Sequence, residues 1–136
     1  MADGGTGAHA RERGSAVVDF VLVSLLIVTL LLAVLQVAVY VHVRNVVVAS
    51  AQEGARYAAN ADVDSGFGAA RTVQVVARAT SVRTAQGLSC TSAEEGDPSG
   101  LTLVVVRCTG AVPSLLGALG NVLPIQAAGR AVKEAP

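Results

Sequence analysis

Tryptophan is absent from this chain, and only Phe20, Tyr40, Tyr57 and Phe67 are aromatic. A core without large rings falls to Val, Leu and Ala, which bury less area per residue. A small domain built that way needs a staple. Lysine is nearly missing too, with Lys133 alone against nine arginines. Ten basic and ten acidic residues leave no formal net charge, so no global field draws the chain to nucleic acid. The two histidines, His9 and His42, lie on either side of a long apolar run, and neither has the partners a metal site needs. The sequence also lacks a Gly-rich phosphate loop, paired histidines and a nucleophile with a base. These absences speak against an enzyme, a cofactor and a small-molecule substrate.

The chain is instead rich in apolar residues, at 52% of 136. Mean hydropathy is +0.57. Much of that excess lies in residues 20–41, which carry no charge and whose only polar groups are those of Ser24, Thr29, Gln36 and Tyr40. As a helix this run is about 33 Å long, against a hydrocarbon core of about 30 Å. Leu, Val and Ile fill every face, so no rotation gives it a watery side. The run reads as a single transmembrane helix over residues 15–43. Residues 1–14 read as a short, disordered cytoplasmic leader, and residues 44–136 as a small head.

Arg11 and Arg13 flank the run on one side and Arg44 and Arg56 on the other, so positive charge does not orient it. The junction is more informative. It reads Gly14-Ser15-Ala16-Val17-Val18-Asp19-Phe20. An acid inside a membrane helix costs up to about 2.5–3.5 kcal/mol at the centre and less near the edge. A local role is open to it, because a carboxylate in a first turn suits the helix dipole.

Beyond the run, residues 45–60 continue at helical spacing. Val47, Ala51, Ala55 and Ala58 form a stripe of small residues. Arg44, Gln52, Glu53 and Arg56 point elsewhere, with Glu53 placed to meet Arg56 three residues on. An unbroken helix from Ser15 to about Asn60 would be about 68 Å long. Residues 60–66 are a turn by composition, in which Asp64 or Ser65 could cap the next element. An amphipathic helix follows over residues 67–85, with Val73, Val76, Ala77 and Thr80 on one face and Arg71, Gln74, Arg78 and Ser81 on the other.

After Gly87 the period changes to that of strands, around a loop at residues 94–100. The midpoint of Cys90 and Cys108 falls in that loop, so a symmetric hairpin sets the two cysteines opposite each other. Leu88, Cys90 and Ser92 then share a face with Thr102, Val104, Val106 and Cys108. Facing cysteines in an oxidising compartment form a disulfide worth about 3 kcal/mol, which puts the head outside the cytoplasm. Pro113 breaks the strand, residues 114–119 read as a short helical turn, and residues 125–132 return as a third strand. The expected fold is α+β: a long N-terminal helix, a second amphipathic helix and a small three-stranded antiparallel sheet spanning residues 88–132.

The junction resembles the cleavage and assembly signal of type IV pilin-like proteins. The resemblance implies cleavage by a prepilin peptidase between Gly14 and Ser15. It also implies pairing of Asp19 with a subunit's N-terminal amine, a pairing that eases burial of both charges. That family usually has Glu where Asp19 stands. With Glu53-Gly54-Ala55-Arg56-Tyr57 downstream, and Pro113-Ser114-Leu115-Leu116 and Gly129-Arg130-Ala131 near the end, the chain is similar to the TadE-like proteins. These are minor pilin-like components of the tight adherence (Tad/Flp) pilus system. The resemblance covers roughly residues 11–60 and 101–134. It implies a single-pass membrane protein whose partners are the peptidase, other pilin-like subunits and the Tad secretion machinery. Two other readings stand beside it. One is an unprocessed, membrane-anchored binding module. The other is a secreted head released by signal peptidase after Ala49-Ser50-Ala51, against which the length of the apolar run argues.

Overall fold

In a computed structural model of the chain, residues 6–112 and 123–135 are described, with side chains from Gly14 onward. The elements among them are, in order, α1 (Thr6–Ala59), α2 (Phe67–Ala79), α3 (Val82–Gln86), β1 (Leu88–Gly96), β2 (Thr102–Val112) and β3 (Leu123–Val132). The fold is α+β, with a long first helix and one antiparallel sheet in the order β1-β2-β3. The break at Pro113 and the helical turn expected over residues 114–119 lie outside the described residues. The chain divides into two compact units, Met1–Val37 and Ala38–Pro136.

In the first unit, α1 starts at Thr6, within the stretch expected to be a disordered leader. Ala8, Ala10, Arg11 and Arg13 are good helix formers, and extending an existing helix avoids the cost of a new nucleus. From Val17 to Leu31 the large apolar side chains are exposed in every direction, with Phe20 at 73% and Leu26 at 68%. Such a surface is stable only in an apolar medium. Thr29 donates its hydroxyl proton to the Leu25 carbonyl at 2.8 Å, so that polar group is satisfied without water.

The second unit packs residues 38–59 of α1, together with α2 and α3, on one face of the sheet. The small-residue stripe is its spine, because Val47, Ala51, Ala55 and Ala58 are all fully buried. Two glycines let backbones meet closely there. A Cβ on Gly54 would lie 2.0 Å from Thr72 Oγ1 and 2.5 Å from the Gly68 carbonyl. One on Gly129 of β3 would lie 2.2 Å from the Ala51 carbonyl. Val76, Val106, Cys108, Val112 and Ile125 complete the main core.

The amphipathic helix expected over residues 67–85 is broken in two. Thr80 ends α2 with φ −127° and ψ −91°. Extended Ser81 caps α3, its hydroxyl accepting the Thr84 N–H. The buried stripe of α2 is Gly68, Thr72 and Val76, with Val73 and Ala77 partly covered. Neither Asp64 nor Ser65 caps α2 from the N-cap position, which Gly66 occupies. Asp64 accepts the Gly66 N–H at 2.7 Å, an Asx turn one step earlier.

In the sheet, Cys90 stands opposite Cys108, and β2 pairs β3 through Cys108 and Ala127. The strands run further than the composition suggested. β1 reaches Gly96, which leaves a tight turn at residues 97–100. Gly100 adopts φ +84°, a conformation that favours glycine. Asp97 accepts from the Ser99 hydroxyl and backbone N–H, and these bonds hold its carboxyl below the ordinary range. Glu95 and Arg107 form a charge-assisted pair across the outer face of the strands. The hydrogen bond from Arg107 lowers the Glu95 carboxyl, and the same bond raises Arg107.

Candidate functional site

The expected site residues fall in both units. Gly14, Ser15, Asp19 and Phe20 are exposed residues of α1 in the first unit, and nothing lies within 4 Å of the position a Gly14 Cβ would take. Around Gly14 and Ser15, the backbone is regular helix.

The second group, Glu53-Gly54-Ala55-Arg56-Tyr57, is one and a half turns of α1 in the second unit. Each position has a distinct environment. Gly54 and Ala55 are buried against α2 and the sheet, and Gly54 admits no larger side chain beside Thr72. Glu53 does not reach for Arg56, the partner that helical spacing offered. It lies 3.8 Å from Arg71 of α2, a long and half-exposed ion pair. Arg71 also stacks on Tyr57, its guanidinium carbon 5.4 Å from the ring centroid, and donates to Gln74 at 3.2 Å. Tyr57, Phe67, Ala70, Arg71 and Gln74 line a shallow cleft of about 320 Å³. Arg56 points into solvent.

The third group is covalent. Cys90 and Cys108 are joined by a disulfide at facing positions of β1 and β2. Cys108 is buried in the main core, so the bond ties the edge strand to the centre of the unit.

Other contacts that join the elements gave little sign in the sequence. Gln52 points to the free edge of β3, not to solvent. Its amide accepts the Arg130 N–H at 2.8 Å and donates to the Arg130 carbonyl at 3.2 Å, as a neighbouring strand would. Tyr40 donates to the Pro124 carbonyl at 3.2 Å on the same edge. Twelve helical residues separate Tyr40 and Gln52, about 18 Å, and six strand residues separate Pro124 and Arg130, about 20 Å. Residues 38–59 of α1 therefore run alongside β3 in the same direction. Lys133 ends that track. Its ammonium donates to the carbonyls of Ala58, Asn60 and Val63 at 3.0, 3.2 and 2.7 Å, closing the C-terminus of α1. A period of two or 3.6 marks a face; it does not mark which exposed amide will cover a sheet edge.

Buried Thr72 was also missed, because a hydroxyl in an amphipathic pattern scores as polar. Its Oγ1 donates to the Gly68 carbonyl at 2.9 Å and lies 3.3 Å from that of Ser50. That satisfaction is what permits its burial.

Comparison with curated proteins and with solved structures gives no match. Against protein families, the model of the TadE-like protein family matches residues 14–56. The match begins at the glycine of the junction, runs through the apolar stretch and closes inside the Glu53–Tyr57 motif. It does not extend to residues 101–134. From Gly14 to Arg56, then, the chain is similar to the TadE-like proteins.

Proposed function

We propose that the chain is a minor pilin-like structural subunit, a substrate of a prepilin peptidase, that acts in assembly of a Tad-type pilus. One observation carries this reading: the family match covers both the Gly14–Phe20 junction and the apolar run, whose large side chains are exposed from Val17 to Leu31. The run anchors the protein in the membrane until assembly, and the second unit supplies subunit contacts. Cleavage between Gly14 and Ser15 would free an amine, and Asp19 is its proposed partner in an apolar filament core. The Cys90–Cys108 disulfide supports an extracytoplasmic position for the second unit, since such bonds persist in oxidising compartments.

Release of a secreted head after Ala51 finds no support. Ser50 and Ala51 are 2% and 0% exposed within α1, and cutting there would sever the spine of the core. The N-terminal residue of the mature protein from its native membrane tests the proposal. A start at Ser15 is expected. An intact Met1 or Ala2 would leave an unprocessed anchor, and a start at Gln52 would mean a released head.

A further inference from the structure

The two ends of the second unit differ sharply in charge. At one end Tyr40 bonds to Pro124, and Leu88, Gly110 and Ile125 form one row across the sheet. A Cβ on Gly110 would lie 2.6 Å from the Gly87 carbonyl, so the chain leaving α3 packs at this same end. At the opposite end the Lys133 N–H donates to the Thr102 carbonyl, and the Lys133 ammonium gathers the carbonyls that close α1.

Acidic residues belong to that opposite end. Asp62, Asp64, Glu94, Glu95, Asp97 and Glu134 lie in its turns and strand termini, and no acid occurs in residues 65–93 or 98–133. Among the described residues, the charged side chains at the Tyr40 end are cations: Arg44 one turn beyond Tyr40, Arg78 in the last turn of α2, and Arg83 on α3, all exposed. Beside Arg83, Val82 is 62% exposed. This is also the end at which α1 leaves the apolar run, since Tyr40 and Val41 are the last residues of that run.

We propose that this end of the second unit docks on an anionic lipid surface, through Arg44, Arg78, Arg83 and Val82. The inference rests on reading the apolar run as a membrane anchor. Arginine stems lie along the interface while their guanidinium groups meet lipid phosphates, and an exposed apolar residue between them enters the boundary layer. The ring of Tyr40, apolar with a polar tip, belongs at the same depth. Charge complementarity and continuity with the end of the span select lipid as the occupant. Docking would hold the unit against the membrane before assembly, with its acidic end turned away.

The test uses the full chain in vesicles of phosphatidylcholine, alone or mixed with phosphatidylglycerol. Both native cysteines are in the disulfide, so a Val82→Cys variant offers a unique thiol for an environment-sensitive fluorophore. The expected result is a blue shift, with quenching by lipids spin-labelled near the headgroup, in the anionic vesicles. The shift should disappear at high salt and in an added Arg78→Glu, Arg83→Glu pair, and a probe at Ser99→Cys should show none. Equal emission in the two vesicle types, or a shift that survives the charge reversal, overturns the proposal. Co-flotation separates the two readings: a chain that floats with both vesicles but shows no shift at position 82 is anchored and undocked. A chain that floats with neither overturns the anchor and the docking together.

Discussion

Single side chains set how closely the parts of the second unit approach. Gly129 is the tightest case, because the obstacle to a Cβ is the backbone of Ala51 and Gln52, which cannot rotate aside. A Gly129→Ala change should lower unfolding free energy by about 1–3 kcal/mol or more, read as a shift in the urea midpoint of the detergent-solubilised chain. Glu53 makes the opposite case. Its partner is 3.8 Å away and both side chains are substantially exposed, so Glu53→Ala should change stability by no more than about 0.5 kcal/mol. A large loss there would show that the motif glutamate does more in the fold than these contacts account for. Lys133→Met should cost ~1–2 kcal/mol, since three carbonyls at a helix end lose one cation. The small-residue stripe was legible from spacing alone because burial of α1 repeats every three to four residues. The contacts of Gln52 with Arg130, of Lys133 with Ala58, Asn60 and Val63, and of Arg71 with Glu53 and Tyr57 were not, because they join different elements and helical period carries no information about them.

At the scale of elements, the hairpin β1–β2 was the most readable part. Cysteine symmetry about a turn fixed the register at Cys90 and Cys108, and that register decides which face every other residue takes. Replacing both cysteines with serine should lower stability by about 3 kcal/mol, by the entropy argument for a loop of this length. A thiol titration of the exported, unfolded chain should find none free. The ends of the strands were less legible, because Glu94 and Glu95 look like loop residues yet sit on a solvated edge strand. Glu95 has its carboxyl depressed by Arg107, so its contribution is present above the unfolded carboxylate value of about 4.5. That contribution fades as pH falls toward the lower folded value. The stability difference between the parent and Glu95→Gln should therefore be constant near neutrality and vanish in acid. The break between α2 and α3 was hidden because Thr80 and Ser81 fit a helical pattern by polarity. Ser81 instead uses its hydroxyl as a cap, and that local bond competes with continuing the helix.

For the whole molecule, an apolar run exposed on all sides and a stapled α+β unit are two solutions to different solvents. The first was plain from composition, since 22 uncharged residues in sequence leave few alternatives. The proposed role of Asp19 belongs at this scale, because it concerns neighbouring subunits. Asp19→Ala should leave cleavage after Gly14 intact while reducing recovery of the subunit in sheared pili. Normal recovery would remove that role.

The lateral track between α1 and β3 bears on how such a unit responds to force. Tyr40, Gln52 and Lys133 bridge the two elements at successive heights, and helix and strand run in the same direction. A pull along α1 strains these bridges in shear, all together, whereas a pull across the track would open them one after another. The second unit should thus resist a pull along the axis of its own helix better than a pull across it.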